Sequence, residues 1–181
     1  MKTILFTGVH GVGKGFYLEK NCRDNSRVQV LSASGLIQEY KSAADAGYKR
    51  VLDVYANQDV LLKALQQQQV KAKFDIILDG HLCILNAKGG IEKIPEYFFV
   101  QGNFEGIILL QDDVRLIAER INSRDGEKIN ILLLDEIQKL EREYAVHLKE
   151  TIGLEYEIIN PECNGQEFIR IIEKLGGKTN G

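Results

Sequence analysis

The sequence predicts an α/β fold, a parallel five-stranded sheet with helices on both faces. Five short apolar or alternating segments read as its strands: Lys2–Thr7, Arg27–Leu31, Phe74–Asp79, Gly106–Leu110 and Tyr156–Ile159. Segments with helical periodicity separate them, and strands that alternate with helices are typical of a parallel sheet. A ligand of such a sheet binds beyond the carboxyl ends of the strands.

A glycine-rich stretch follows the first strand directly. It reads Gly8-Val9-His10-Gly11-Val12-Gly13-Lys14-Gly15, which is glycine, four residues and then Gly-Lys. This is the spacing of a P-loop, and it stands between a strand and a helix as that motif requires. Glycines turn backbone N–H groups inward as an anion nest, and the helix N-terminus adds partial positive charge. The stretch therefore predicts a phosphate site, with Lys14 reaching the terminal phosphates of a nucleotide.

One position departs from the common P-loop pattern. A Ser or Thr hydroxyl that binds Mg²⁺ usually follows the lysine, whereas this chain has Gly15 and then Phe16. Neither residue carries a hydroxyl. Nucleotide binding is expected, but the motif does not show how Mg²⁺ would be held.

The helices of the first half are placed by their end signals. We predict a helix from Gly13 to about Asn21, one capped by Ser32 or Ser34 that runs to about Ala46, and one from Tyr48 to Lys71. The residues from Gly80 through Lys88–Gly90 are read as a polar loop. Pro95 then opens a short segment that contains Tyr97, Phe98 and Phe99.

Three helices are expected in the second half. Asp112 or Asp113 caps the first, and the polar stretch 122–128 leads to a long second helix that Gly153 ends. The predicted core-facing stripe of the long helix is Leu133, Ile137, Leu140, Tyr144 and Leu148. Asn164 and Glu167 form a capping-box pattern for the final helix, Gly165 to Leu175.

Composition narrows the class of protein. The chain has 181 residues, 44% of them hydrophobic and 27% charged, as in an ordinary single globular domain spanning 1–181. A net charge of −3 gives no overall attraction to nucleic acid or to acidic membranes. Cys22, Cys83 and Cys163 are too scattered for disulfide or zinc-site spacing. No apolar run approaches the ~20 residues of a membrane span, and we predict a cytoplasmic protein.

Four further residues are candidates for chemistry. Asp79 ends an apolar strand, the place of a carboxylate that holds Mg²⁺ directly or through water. His81 follows in the next loop, where it can orient substrate or stay purely structural. Arg120 and Arg124 lie one helical turn apart and can face the sheet edge together. Guanidinium groups of this kind spread over the charge of a transferring phosphoryl group, although an amphipathic helix can also carry them on a solvated face.

Taken together, these features resemble the adenylate kinase group of nucleoside monophosphate kinases, and within it the archaeal type with a short lid. The shared features are Thr7-Gly8-Val9 with the P-loop, Arg50 before a long helix, Asp79-Gly80-His81, the Gly89-Gly90 loop with Pro95, and Arg120 with Arg124-Asp125. The resemblance covers roughly residues 1–160 (about nine tenths of the chain).

The resemblance implies roles for these residues. The P-loop from Gly8 to Phe16 would cradle the phosphates of ATP, Arg50 would grip the acceptor monophosphate, and Asp79 would organise Mg²⁺ and water. Segment 32–72 would cover the acceptor, and a short lid at 120–130 would bring in Arg120 and Arg124. Small nucleotides would then be the partners, with no role for nucleic acid or membrane.

Three classes of function remain open from the sequence. The first is ATP-dependent phosphoryl transfer to a small acceptor, with a nucleoside monophosphate favoured. The second is a P-loop protein that hydrolyses ATP without a small-molecule acceptor. The third is a nucleotide-binding protein without turnover, which the missing hydroxyl at Gly15 and Phe16 favours.

Overall fold

The computed structural model describes residues 1–23, 25–43, 54–86, 88–126 and 129–175. Five parallel strands form one sheet in the order β2-β3-β1-β6-β7, which confirms the predicted fold class. The strands are β1 (Thr3–Thr7), β2 (Val28–Ser32), β3 (Asp75–Asp79), β6 (Gly106–Leu110) and β7 (Tyr156–Ile159). A separate antiparallel pair consists of β4 (Cys83–Leu85) and β5 (Ile91–Lys93).

Seven helices connect or cover these strands in the described part of the chain. Their bounds are α1 (Lys14–Cys22), α2 (Ala33–Ala43), α3 (Val54–Lys71), α4 (Glu96–Gln101), α5 (Val114–Asp125), α6 (Ile131–Ile152) and α7 (Gly165–Lys174). The strand β1 lies at the centre of the sheet between β3 and β6, so the segment that follows β1 emerges in the middle of the carboxyl edge.

The core has two halves, one on each face of the sheet. On one face, side chains of β1, β3 and β6 pack with α2, α3, α4 and α6. On the other face, the alternate side chains of the same strands pack mainly with α1, α5 and α7. Because the central strands are buried on both faces, β1 and β6 are apolar almost throughout, as parallel strands usually are.

The helix ends follow the predicted capping residues. Asp113 caps α5 by accepting from the N–H of Arg115, and Asn164 caps α7 by accepting from the N–H of Glu167. Gly153 ends α6 in the left-handed conformation that glycine adopts most readily. The Ser32 hydroxyl accepts from the N–H of Gly35 at 3.3 Å in the first turn of α2. The hydrogen bonds accepted by Asp113, Asn164 and Ser32 satisfy N–H groups that have no partner within the first turn of a helix.

One prediction for the middle of the chain was wrong, and the prediction of core aromatic residues after Pro95 was confirmed. The stretch read as a polar loop after Gly80 contains the β4–β5 hairpin, in which Cys83 pairs with Lys93 and Leu85 with Ile91. Its strands are three residues long, which is too short for a clear alternating pattern. The Pro95 segment forms the helix α4, whose aromatic residues Phe98 and Phe99 are buried in the core.

The predicted stripe of α6 was correct for Tyr144 and Leu148, which are buried, and for Ile137 and Leu140, which pack partly buried against the core, but it missed three buried positions. These are Leu134, Glu141 and Ala145, with exposed fractions of 2%, 0% and 0%. A search for apolar periodicity passes over an acidic residue, so Glu141 was not among the positions predicted to face the core.

The predicted helix from Tyr48 to Lys71 is seen from Val54 onward, and Arg50 lies outside the described residues. The proposed lid at 120–130 is described up to Gly126 and again from Ile129. Within the described ranges, no helix combines the length and the apolar character needed to cross a bilayer.

Docking of α7 against the sheet generates a stability prediction. Phe168 of α7 has no exposed surface and packs edge-on against Phe6 and Tyr17 at centroid distances of 5.6 and 5.2 Å. We expect Phe168→Ala to lower the free energy of unfolding by about 3–5 kcal/mol because it leaves a cavity in the core. Chemical denaturation measures this change. The control Val70→Ala, at a side chain that is 88% exposed, should change it little, and equal stabilities would contradict the packing described.

Candidate functional site

The P-loop occupies the turn between β1 and α1, at the centre of the carboxyl edge of the sheet. Gly11 and Gly13 have positive φ angles of 82° and 101°, which side chains disfavour. Gly8 lies so close to β6 that a Cβ atom there would come 2.5 Å from the carbonyl oxygen of Leu110. The loop therefore needs glycine at these positions for its backbone conformation and for its packing.

A cleft of about 420 Å³ opens in front of the loop. Added Cβ atoms at Gly13 and Gly15 would meet nothing within 4 Å, so this side of the loop faces open space. The cleft is lined by P-loop residues, the start of α2, the end of β3 and the end of α5: His10, Gly11, Gly13, Lys14, Gly15, Phe16, Ser32, Ala33, Ser34, Asp79, Gly80, His81 and Arg124. Elements far apart in the chain thus meet at the edge where the sequence predicts a ligand.

Lys14 is the buried cation of the cleft, with 9% of its surface exposed. Its ammonium donates to the carbonyl oxygen of Gly8 at 2.9 Å and lies 3.4 Å from Nε2 of His81 and 3.9 Å from Oδ1 of Asp79. Burial lowers the pKa of Lys14, and the negative charges of Asp79 and Glu141 oppose that shift. Apart from the hydrogen bond to Gly8, these contacts are long, so the Lys14 ammonium is available to bind an anionic ligand.

Asp79 and His81 meet Lys14 from the end of β3, as the sequence predicted for the carboxyl edge. Burial raises the pKa of Asp79, and the nearby Lys14 opposes the shift. Burial and the charge of Lys14 lower the pKa of His81 to about 3, so its imidazole is neutral at physiological pH. A neutral ring has one nitrogen that donates and one that accepts.

Arg120 and Arg124 both reach the P-loop from the same face of α5. Arg120 forms an ion pair with Asp112 at 2.6 Å and donates to the carbonyl oxygen of Val12 at 3.4 Å. Arg124 is bound by both oxygens of Asp125 and lies 3.2 Å from Nε2 of His10. The two guanidinium groups stand beside the phosphate loop and remain about half exposed (46% and 58%).

Phe16 projects from the first turn of α1 with 74% of its surface exposed. Phe16 lines the cleft together with Gly15. An aromatic ring therefore stands beside the phosphate loop where related P-loops can carry a hydroxyl. The serine hydroxyls in the lining belong to Ser32 and Ser34 at the start of α2, which bond each other at 3.0 Å.

The residues around the cleft suit the phosphates of a nucleoside triphosphate, and they supply part of a binding site for Mg²⁺. The backbone N–H groups around Gly11 and Gly13 and the Lys14 ammonium match phosphate oxygens, and Asp79 offers the carboxylate oxygen that Mg²⁺ prefers. No hydroxyl follows Lys14. In the ranges the structure describes, no group of three or more His, Cys, Asp or Glu side chains is placed to hold a metal ion. Mg²⁺ would therefore take most of its ligands from phosphates and water.

Comparison with known proteins now places the chain in a family. A family model described as an AAA domain matches residues 7–138, which include the P-loop, Asp79 and both arginines. The chain belongs to this family. No curated protein sequence matches it.

A solved structure shares the fold of this AAA domain. A tunicamycin resistance protein from Deinococcus radiodurans has a TM-score of 0.57 at 15% identity, over 84% of this chain and 96% of that chain. A gluconokinase from Sinorhizobium meliloti 1021 has a TM-score of 0.49 at 14% identity, over 97% and 90% of the two chains. At these identities the likeness concerns the fold alone.

The family and the fold confirm the α/β fold class that the sequence predicts. They support an α/β domain of the AAA family with a P-loop after its first strand, and phosphoryl transfer from ATP stays a prediction. They do not single out adenylate kinases or any one acceptor. The roles assigned to individual residues stay predictions.

The contacts of Lys14 generate the first site prediction. We expect Lys14→Ala to abolish turnover while the fold survives, because it removes the buried charge that meets the terminal phosphates. Removing one such electrostatic partner costs on the order of 2–4 kcal/mol in the transition state. Turnover at saturating ATP measures the loss, and Lys139→Ala on the exposed face of α6 is the matched control. Wild-type turnover in the Lys14 variant would contradict the assignment of the P-loop.

The arginine pair generates a second site prediction. We expect Arg120→Ala and Arg124→Ala each to lower kcat by at least ~100-fold, with a smaller loss of ATP affinity, because both would act on the transferring group. Arg115→Ala, at an exposed position of the same helix, should leave both parameters near wild type. If the loss of ATP affinity fully accounts for the loss of kcat/KM, the two arginines bind ATP or lie on the surface and do not act on the transferring group.

Proposed function

We propose that this protein transfers the γ-phosphoryl group of ATP to a small acceptor, with a nucleoside monophosphate as the favoured acceptor. The observation that carries the proposal is the convergence of Lys14, Asp79 and Arg124 on one open cleft in front of the P-loop. These are the parts that phosphoryl transfer requires: a phosphate cradle with a lysine, a carboxylate and a guanidinium group.

The chain's own groups would do their work by position and charge. The P-loop N–H groups and Lys14 would bind the phosphates of ATP, and Asp79 would orient the water or metal ligand shell beside them. Arg120 and Arg124 would turn from their aspartate partners toward the transferring group, where guanidinium donors spread over the developing charge. Mg²⁺, when bound with the nucleotide, neutralises phosphate charge. No protein nucleophile is needed.

The choice of acceptor rests on the sequence. Arg50 and the Asp79-Gly80-His81 motif resemble the acceptor side of nucleoside monophosphate kinases. A monophosphate dianion suits an arginine, because its planar fork binds two oxygens at once. The proposal includes small nucleotides as partners and, from the sequence, a cytoplasmic location.

One observation favours a second candidate, a P-loop protein that binds or hydrolyses ATP without a small acceptor. Phe16 exposes an aromatic ring where a hydroxyl would support Mg²⁺. A screen with ATP and Mg²⁺ against nucleoside monophosphates, sugar-like alcohols and water separates the candidates. Label from the γ-phosphate on an organic acceptor supports the kinase, whereas inorganic phosphate as the sole product supports the second candidate.

Arg50 generates the prediction that separates kinase from hydrolase. We expect Arg50→Ala to raise the KM of the best monophosphate strongly and to leave ATP binding nearly intact, because it removes the bidentate donor for the acceptor. Paired titrations of ATP and the monophosphate measure both, with Lys49→Ala as the neighbouring control. An unchanged acceptor KM would contradict the role of Arg50, and the absence of any acceptor would contradict the kinase itself.

A further inference from the structure

Glu141 is a carboxylate at a position that the helix packing would give to an apolar residue. It has no exposed surface, on a face of α6 that also buries Leu134, Tyr144 and Leu148. Burying a carboxylate is costly unless it is hydrogen-bonded and balanced by charge. A leucine here would avoid that cost, so the acidic group points to a purpose other than holding α6 against the sheet.

The hydrogen bonds of Glu141 join the two segments that build the cleft. Its Oε1 accepts from the hydroxyl of Thr7 at 3.0 Å and from the N–H of Leu82 at 3.1 Å. Thr7 is the residue before the P-loop, and Leu82 is the residue after His81. One carboxylate oxygen therefore fixes the entry to the phosphate loop relative to the His81 connection.

The second oxygen accepts no hydrogen bond of good geometry among the described residues, although the backbone N–H of Cys83 helps to lower the pKa of the carboxyl. Buried polar atoms of this kind are rare and call for an explanation. The ring of His81 lies close to this carboxylate, with its Nδ1 4.0 Å from Oε1. A small rotation of this half-buried ring would let Nδ1–H donate to the carboxylate.

Glu141, His81 and Lys14 form a row that leads into the cleft. Nε2 of His81 lies 3.4 Å from the Lys14 ammonium, on the opposite side of the ring from Glu141. Burial raises the pKa of Glu141 and the charge of Lys14 opposes the shift. The buried anion and the buried cation thus stabilise each other across the imidazole.

We propose that Glu141 is a positioning residue for phosphoryl transfer that acts through His81 and Lys14, an inference that rests on the proposed function. While the cleft is open, the carboxylate helps to hold the Lys14 ammonium among Gly8, Asp79 and His81. When Lys14 binds phosphates instead, Glu141 retains the ring of His81 through Nδ1. The accepting Nε2 then faces the cleft, where it can orient a proton-bearing group of the ligand.

The test compares Glu141→Gln with Glu143→Gln, a matched change at an exposed glutamate of the same helix. The glutamine keeps an acceptor oxygen for Thr7 and Leu82 but removes the charge. We expect kcat to fall ~10- to 100-fold with the melting temperature close to that of the control. The dissociation constant of ATP should stay the same or decrease, because a negative charge near the phosphates is removed.

A double-mutant cycle tests whether Glu141 acts through His81. In a His81→Gln background, adding Glu141→Gln should lower kcat by less than about threefold, because the ring that transmits its effect is already gone. If the two substitutions lower kcat by independent factors that multiply in the double variant, Glu141 does not act through His81. A Glu141→Gln variant that loses melting temperature, ATP affinity and kcat together would overturn the inference in favour of a structural role.

The outcomes separate this inference from the proposed function. If wild type and Glu143→Gln transfer phosphate and Glu141→Gln matches them, the role of Glu141 is overturned and the proposed function stands. If the wild type transfers to no acceptor, the proposed function fails, and the same comparison is made on ATP hydrolysis, where equal rates overturn the inference. A wild type without any turnover overturns both.

Discussion

The site depends on the burial of one ammonium group, that of Lys14, at the centre of the sheet edge. A buried cation needs partners, and here the carbonyl of Gly8 lies at 2.9 Å and the carboxylate of Asp79 at 3.9 Å, while the negative charge of Glu141 also favours the ammonium form. None of these is a tight bidentate pair of the kind that fixes a charge permanently. The lysine is therefore stabilised in the fold without a tight ion pair, and the proposed exchange of its partners for phosphate oxygens requires that arrangement.

The architecture follows from that requirement. Because β1 lies between β3 and β6, the loop that carries Lys14 has Asp79 on one side and the packed carbonyl of Leu110 on the other. The helix α6 brings Glu141 into contact with Thr7 at the start of the loop, while α5 brings Arg120 to Val12 and Arg124 to His10 within it. Residues from five parts of the chain thus meet at or beside the P-loop.

Features with local causes could be predicted from the sequence. The five strands, the P-loop, the caps at Asp113 and Asn164 and the stop at Gly153 each follow from residues within a few positions of each other. Glu141 could not be found in this way, because its burial depends on contacts with Thr7 and Leu82 that are distant in sequence. The short β4–β5 hairpin was missed because its strands carry too few residues to show a period.

The central claim is that Lys14 exchanges its internal partners for the phosphates of a nucleotide. A crystal structure of the protein with Mg²⁺ and a non-hydrolysable ATP analogue measures this directly. The account predicts Nζ of Lys14 within about 3 Å of a terminal phosphate oxygen and no longer bonded to the carbonyl of Gly8. Phosphates bound elsewhere, or a Lys14 that keeps its 2.9 Å bond to Gly8 with the analogue in place, would contradict it.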